Sequence, residues 1–200
     1  MGAAVKLPVR HLALRTLRLV AALASSTCVS GFTAAAELPP PAYQLAGFTA
    51  GVPGVVLFSL ALQESGTKIR GRVLPWPWTL NVAGASYRFA TREAACTALL
   101  IGIHEAGAKR VDAGIGQVNI GWNGHHFREP CEALDPYRNL SVSAEILKGW
   151  YDQTGNWTEA AGRYHRPAGG APAARYRTAF DQHLRRVLGN DSTSLLVGNP

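Results

Sequence analysis

Glu64 has the clearest potential for acid–base chemistry in this chain. It ends an apolar run, residues 55–64, and is followed by Ser65 and Gly66. The run predicts a buried helix that begins near Pro53 and ends at Gly66. At the end of such a helix, apolar surroundings and the negative end of the helix dipole both raise the pKa of a carboxyl group. Glu64 would then donate a proton near neutral pH, although the pattern alone also fits an ordinary surface glutamate.

A second polar set lies in the glycine-punctuated segment 112–119. Asp112 is the best candidate for a second carboxylate, but its side chain can equally cap the turn that follows. Gln117 and Asn119 carry amide groups suited to directional hydrogen bonds with a polar ligand, and Asn119 can instead cap the turn. The segment is therefore a candidate binding loop whose reaction type depends on where Asp112 points.

The histidines do not form a metal-binding pattern. His125 and His126 are adjacent, and His104 and Cys131 are near in sequence, but no spacing matches a structural zinc site. No phosphate-binding glycine loop and no nucleophile elbow occur. The sequence therefore predicts neither a metal nor a cofactor.

The N-terminal segment, residues 1–36, has the features of a secretory signal peptide. Four basic residues precede or interrupt an apolar, small-residue run over 17–32, and Ala34-Ala35-Ala36 comes before Glu37. Alanine at these positions suits a signal peptidase, and we expect an exported, periplasmic protein. The alternative is an uncleaved membrane anchor, although the run is short for a spanning helix.

The positive charge does not indicate a nucleic-acid partner. The formal charge is +7, with 20 basic and 13 acidic residues. Four of the basic residues and no acid lie in 1–36, so the charge of the remainder is only about +3. That remainder has no long basic run, which argues against DNA and suits an anionic polymer such as the bacterial wall.

Two cysteines, Cys96 and Cys131, remain after removal of the signal segment. In an exported chain they can form a disulfide, which would close a loop of 35 residues and stabilise the fold by about 3–4 kcal/mol. Two buried thiols are the alternative. We favour the disulfide.

The remaining pattern predicts a mostly helical single domain with one β-hairpin. Residues 37–52 read as an extended N-terminal arm and 67–75 as a polar loop, while 189–200 read as a flexible tail. Strands over 79–82 and 87–89 form the hairpin. Helices are predicted over 92–105, capped by Thr91, and over 141–154, 157–164 and 173–188. Trp76 and Trp78 precede the hairpin and are expected to pack in its core.

Three segments resemble, in order, the motifs of the soluble lytic transglycosylase family. Residues 61–66 (ALQESG) resemble its glutamate-serine motif, and 114–119 (GIGQVN) its Gly-Leu-Met-Gln-Ile-Asn motif. Asn139-Leu140 before a helix, followed by 160–165 (AAGRYH), resembles its third motif, usually Ala-Tyr-Asn. These segments span nearly the whole domain.

The chain departs from the family pattern at two positions. Gly116 stands where methionine is common, and His165 replaces the usual asparagine. In addition, the stretch 76–89 is similar to a subgroup associated with conjugative elements and type IV secretion. A conjugation or secretion machine is therefore an expected partner.

The resemblance implies a lysozyme-like, predominantly helical α+β domain over 53–188. It implies cleavage of the peptidoglycan bond between N-acetylmuramic acid and N-acetylglucosamine, with Glu64 as acid and base and a 1,6-anhydro product. Residues expected to bind the glycan strand, or to orient Glu64, are Ser65, Gln117, Asn119 and Tyr164. Tyr164 can instead be a core aromatic, and Ser65 can simply end the helix.

Three other functions remain open from the sequence. The first is a hydrolase of the same fold, similar to goose-type lysozyme, which becomes the better interpretation if Asp112 faces the cleft. The second is a non-catalytic wall-binding module, which the changes at Gly116 and His165 would suit. The third, a DNA-binding conjugation protein, predicts a basic patch that the sequence lacks.

Overall fold

The computed structural model describes residues 36–189, which form seven α-helices, six short strands and three short 3-10 helices. The helices are α1 (Pro41–Ala50), α2 (Gly54–Ser65), α3 (Arg92–Ala106), α4 (Ile120–Asn123), α5 (Pro136–Thr154), α6 (Trp157–His165) and α7 (Gly170–Leu188). The strands are β1 (Gly66–Ile69), β2 (Arg72–Pro75), β3 (Thr79–Val82), β4 (Ala85–Arg88), β5 (Val111–Ala113) and β6 (Val118–Asn119). The predicted α+β, predominantly helical class is confirmed.

The strands form two small antiparallel sheets. β1 pairs with β2 as an isolated hairpin, and the second sheet has the order β4-β3-β5-β6. In the second sheet Asn81 is paired with Asp112, and Asp112 with Asn119. The sheet therefore brings polar residues from three different strands into one row.

The larger core surrounds α2, whose residues from Val56 to Leu62 are all buried. The helix is apolar on every side because α1, α5 and α7 enclose it. A second core lies between α3 and the four-stranded sheet and is centred on Leu80, Leu99 and Val111. The groove described below lies where elements of the two cores meet.

Several predicted boundaries agree closely with the structure. The second helix ends at Ser65, and the hairpin of β3 and β4 turns at Ala83-Gly84. Thr91 caps α3, where its hydroxyl oxygen accepts a hydrogen bond from the backbone N–H of Ala94 at 3.2 Å. The helices that contain Asn139 and Tyr176 begin five and three residues earlier than predicted.

The prediction of an extended arm over residues 37–52 is wrong for most of its length. Residues 36–40 are extended, but Pro41 begins α1. Proline is well tolerated in the first turn of a helix, where its missing N–H costs nothing. Tyr43 and Ala46 are buried in the larger core, and Tyr43 packs edge-on against Phe58 with ring centroids 4.9 Å apart. Tertiary packing therefore stabilises a helix whose own sequence pattern is weak.

The prediction of a polar loop over residues 67–75 is also wrong, because these residues form the β1–β2 hairpin. Arg70 and Gly71 both have positive φ, 48° and 83°, as a tight two-residue hairpin turn requires. Lys68, Arg70 and Arg72 point into solvent. Because these charged residues are typical of a loop, the strand pattern was not recognised.

The structure joins Cys96 and Cys131 in a disulfide, with a Cα–Cα distance of 5.2 Å. The bond ties α3 to the short 3-10 helix Pro130–Leu134. The prediction of a disulfide is confirmed, and the alternative of two buried free thiols is wrong.

We expect loss of this disulfide to destabilise the domain by about 3–4 kcal/mol, since the bond restricts a long loop in the unfolded chain. The measurement is urea unfolding of the Cys96→Ser/Cys131→Ser variant beside the oxidised protein. Activity at low temperature should remain, because neither cysteine lies in the groove described below. An unchanged unfolding midpoint would contradict the prediction.

Two predicted segments, the signal peptide over 1–36 and the tail over 189–200, lie outside the described residues except for Ala36 and Gly189. Among the described residues, no single helix is long and apolar enough to cross a membrane; α1 and α2 pass such a test only as a pair bent by 114°.

Candidate active site

One groove of about 860 Å³ collects most of the residues that the sequence singles out. Its walls come from α2, the four-stranded sheet, α4, α5 and the end of α6. The two carboxyl groups that line it belong to Glu64 and Asp112. Its other polar or aromatic lining residues include Asn81, Gln117, Asn119, Trp122, Asn123, Trp150, Tyr164, His165 and Arg166.

The junction between α2 and β1 places Glu64 at the groove. Gly66 ends the helix and donates its N–H to the carbonyl of Leu62. A Cβ atom at Gly66 would lie 2.2 Å from that carbonyl oxygen, so only glycine allows the chain to pass directly from helix to strand. The side chain of Glu64 therefore leaves the last helical turn just before the chain changes direction.

Burial raises the pKa of Glu64 to about 8. A hydrogen bond from Tyr176 opposes this shift, and the negative charge of Asp112 adds to it. The group is therefore largely protonated at neutral pH, as the sequence predicts for this position. A protonated carboxyl group in a groove is the form that donates a proton to a bound substrate.

Tyr176, on α7, is the hydrogen-bond partner of Glu64, and the sequence interpretation missed it. Its hydroxyl donates to Glu64 Oε1 at 2.6 Å, which leaves Oε2 to carry the proton. The sequence offers Tyr164 as a partner of either Glu64 or the substrate, but its hydroxyl donates to the carbonyl of Gly116 at 2.7 Å. Tyr164 still lines the groove, and burial raises its pKa far above the ordinary value. The two tyrosines lie twelve positions apart, and only the packing of α7 on α2 distinguishes them.

Ser65 does not line the groove, so the prediction that it binds substrate is not supported. Its side chain is fully buried. Its hydroxyl donates to the carbonyl of Ile115 at 2.7 Å and lies 3.1 Å from that of Ala61. Ser65 thus ties the end of α2, next to Glu64, to the glycine-punctuated loop.

Asn139 holds the backbone of the glycine-punctuated loop in place. Its side chain is fully buried and binds three backbone groups: it donates to the carbonyls of Ala113 and Ala133, and accepts from the N–H of Gly116. Gly114, with φ of 85°, passes so close that a Cβ there would lie 2.3 Å from the Asn139 amide nitrogen. The loop is therefore fixed by an amide from α5.

Gln117 occupies the apex of the loop in a left-handed conformation, with φ of 48°. Its side-chain amide donates to the carbonyls of Thr79 and Gly114 at 3.0 and 2.8 Å. Because both amide hydrogens are used, its carbonyl oxygen is the group that remains to accept a hydrogen bond from a ligand. Left-handed backbone at a non-glycine residue is strained and is concentrated at functional sites.

Asp112 faces the groove, contrary to the expectation that it caps a turn. Its Oδ1 accepts a hydrogen bond from Asn119 Nδ2 at 2.8 Å, and burial raises its pKa. Asn119 also caps α4 by accepting from the N–H groups of Gly121 and Trp122, and donates to the carbonyl of Lys109. Asn119 therefore orients Asp112, and it also lines the groove itself.

Trp122 gives the groove an exposed aromatic face. The side chain is 64% exposed, and the ammonium of Lys109 lies 4.1 Å from the centre of its ring. Trp76 and Trp78, by contrast, pack together at the base of the hairpin and do not line the groove, as predicted. A flat, exposed tryptophan beside polar side chains in a groove suits the apolar face of a sugar ring.

The residues considered for metal binding do not converge. His126 lies 3.5 Å from Glu145, His104 lies beside Glu105, and Cys131 is in the disulfide. Within residues 36–189 there is no group of three or more histidine, cysteine, aspartate or glutamate side chains that could hold a metal ion.

Comparison with known proteins identifies no relative. No family model, no curated protein and no solved structure matches the chain.

Proposed function

We propose that the protein is an exported peptidoglycan lytic transglycosylase with a lysozyme-like fold. The observation that carries the proposal is the carboxyl group of Glu64 lining an open groove, hydrogen-bonded to Tyr176 and accompanied by a second carboxyl group. The raised pKa of Glu64 supports its role as an acid. The three motif resemblances and the amides and aromatics of the groove add support. No cofactor is required.

The chemistry follows from the position of Glu64. Its proton passes to the glycosidic oxygen as the bond from that oxygen to C1 of N-acetylmuramic acid breaks. The 6-hydroxyl of the same sugar then attacks C1 and gives its proton to the Glu64 carboxylate, which restores the acid. The product is a 1,6-anhydro ring, and no water is consumed. In this reaction the charge of Asp112 stabilises the cationic sugar.

The groove offers suitable groups for a glycan strand. The free oxygen of Gln117 can accept from an N-acetyl N–H, and Trp122 can stack on a sugar ring. Together with Asp112, these groups line the same groove as Glu64. Tyr164 and Asn119 act by holding the loop and Asp112.

Mass spectrometry of the products tests the proposal. Purified sacculi are digested with the mature domain, and Glu64→Gln is run in parallel. Fragments one water lighter than lysozyme products, absent with the variant, are expected. No cleavage by a folded domain that binds sacculi would instead indicate the non-catalytic wall-binding module.

A hydrolase of the same fold is the second candidate. The position of Asp112 in the groove favours it, as the sequence interpretation anticipated. It stands second only because the three motif resemblances are to lytic transglycosylases. Hydrolysing glycosidases commonly pair a raised-pKa acid with a second carboxylate that stabilises the cation, attacks C1 or activates water. Asp112, hydrogen-bonded to Asn119 in the same groove as Glu64, has the chemistry for that role. Products with ordinary reducing ends would establish this reaction.

Asp112→Asn distinguishes the two roles of this carboxylate. In a transglycosylase we expect a loss of about 10–100-fold with anhydro products retained, because the substrate supplies its own nucleophile. In a hydrolase we expect activity to be lost almost completely. Asp152→Asn, at an exposed aspartate on α5 that does not line the groove, would serve as a matched control and should change neither the rate nor the products.

We further propose a periplasmic site of action, with local opening of the wall for a conjugation or secretion machine. The signal-like N-terminus and the disulfide support export, because disulfides persist in oxidising compartments. The proposal of a machine partner depends on the resemblance of the hairpin at 76–89. Unchanged DNA transfer after deletion, with no redundant enzyme present, would count against it.

A further inference from the structure

We propose that His165 is a positioning residue that holds the Tyr176 ring against Glu64. The imidazole of His165, the last residue of α6, stacks on the Tyr176 ring with centroids 4.5 Å apart and planes 9° from parallel. The inference rests on the proposed function, because it concerns the proton donor of that reaction.

The contact lies where Tyr176 would otherwise meet the groove. Tyr176 is only 7% exposed, whereas His165 is exposed and lines the groove. The imidazole therefore separates the face of the tyrosine ring from the groove. Without that cover the tyrosine ring could shift, and its hydroxyl could leave Glu64 Oε1, which now lies 2.6 Å away.

An aromatic ring is what this contact requires. Stacking needs a flat side chain parallel to the tyrosine, and the short amide of asparagine cannot cover the same area. Partial desolvation of the ring and the neighbouring Arg166 also lower the pKa of His165, which favours its uncharged form. A cation at this point would favour the ionised form of Glu64 and weaken the acid.

The other titratable and charged groups around the contact come from several elements. They are Glu64 on α2, Asp112 on β5, Tyr164 on α6 and Arg166, which follows α6. Burial, Glu64 and Tyr164 raise the pKa of Tyr176 well above its ordinary value, so it remains a donor throughout the working range. The titration that matters here is therefore that of Glu64.

Three substitutions of His165 test the proposal. We expect His165→Ala to lower kcat about 10-fold with KM within about twofold, because a misplaced acid slows the chemical step more than binding. The basic limb of the pH–rate profile should move to higher pH, since the Tyr176 hydrogen bond lowers the pKa of Glu64. His165→Phe should stay within about twofold of the wild type, and His165→Asn should behave like His165→Ala.

The outcomes separate this proposal from simple structural damage. His104→Ala, at an exposed histidine on α3, is the control and should change nothing. A His165→Ala variant with unchanged kcat and pH profile would overturn the proposal. So would a His165→Phe variant as slow as His165→Ala, because the imidazole would then act through its nitrogens.

A measurement without substrate keeps the test independent of the proposed function. The Glu64 side-chain carboxyl carbon can be followed by ¹³C NMR through a pH titration. We expect a higher midpoint in His165→Ala than in the wild type and in His165→Phe. Equal midpoints would overturn the positioning role even if the domain cleaves peptidoglycan, whereas failure of the proposed function alone would leave the difference in midpoint intact.

Discussion

Replacing Glu64 by glutamine is expected to lower the rate of glycan cleavage about 10³-fold while leaving the domain folded. Glutamine has nearly the same shape and can still accept the hydrogen bond that Tyr176 donates to Oε1. It has no proton to give to the glycosidic oxygen, however, and cannot take one from the attacking hydroxyl. Binding of the strand should change little, because the loss concerns the transition state.

The same substitution should also give the folded domain a stability advantage over the wild type, and this advantage should grow as the pH rises. The pKa of Glu64 is raised from 4.5 to about 8 in the folded protein, so the folded state binds this proton more tightly than the unfolded chain. The stability from this group is complete below pH 4.5 and is lost as the pH rises to about 8. Glutamine has no such loss, and we expect an advantage of about 1–3 kcal/mol at pH 8, allowing for water in the groove.

Both effects can be measured on one set of samples. Muropeptide release gives the rate, and urea unfolding at pH 5 and pH 8 gives the stability difference. Glu105→Gln, which removes an exposed carboxylate on α3, is the control and should show neither effect. A Glu64→Gln variant that retains wild-type activity would exclude Glu64 as the acid. A stability difference that does not grow with pH would contradict the raised pKa.

Asn139→Ala is expected to destabilise the domain by about 3–5 kcal/mol. The substitution leaves the carbonyls of Ala113 and Ala133 and the N–H of Gly116 without their buried partner. Each of these buried backbone groups is then left without a hydrogen bond, and the free-energy costs add up. The loop that carries Gln117 should loosen, and cleavage should fall even at temperatures where the variant is folded.

Thermal unfolding and activity on sacculi measure this result. Asn139→Asp keeps the acceptor for Gly116 but removes both donors, so it should also be strongly destabilised. Ser141→Ala, on the same helix, removes only an exposed hydrogen bond to the carbonyl of Tyr137 and should change the stability by less than about 1 kcal/mol. If Asn139→Ala were no less stable than Ser141→Ala, the loop would not depend on this amide.

The sequence predicts those elements whose defining features lie within their own residues. The apolar run before Glu64 gives α2, and Thr91 gives the start of α3, because a buried helix and a side-chain cap are both visible in the residues concerned. The helix α1 and the hairpin β1–β2 were missed. Pro39 to Pro41 resemble an extended arm, and the charges on Lys68 to Arg72 resemble a loop, while the packing that orders both segments is distant in the chain.

The site shows the same division. Glu64 and Gln117 are predicted because a carboxyl group after an apolar helix and an amide in a glycine loop are informative by themselves. Tyr176 and Asn139 were not assigned roles, since their importance depends on α7 and α5 reaching Glu64 and the loop. Asp112 was predicted to cap a turn instead of facing the groove. Its direction is fixed by the pairing of β5 with β3 and β6, and this pairing cannot be recognised from the residues around Asp112.

The close approach at Gly116 limits how this chain can change over generations. A Cβ there would lie 2.0 Å from Ser143 Oγ and 3.2 Å from the Tyr164 hydroxyl. A side chain at position 116 therefore requires a change at Ser143 as well, because the Cβ of Ser143 would itself lie 2.9 Å away. The two positions are sterically coupled, so a substitution of Gly116 is expected to be tolerated only when Ser143 is replaced with it.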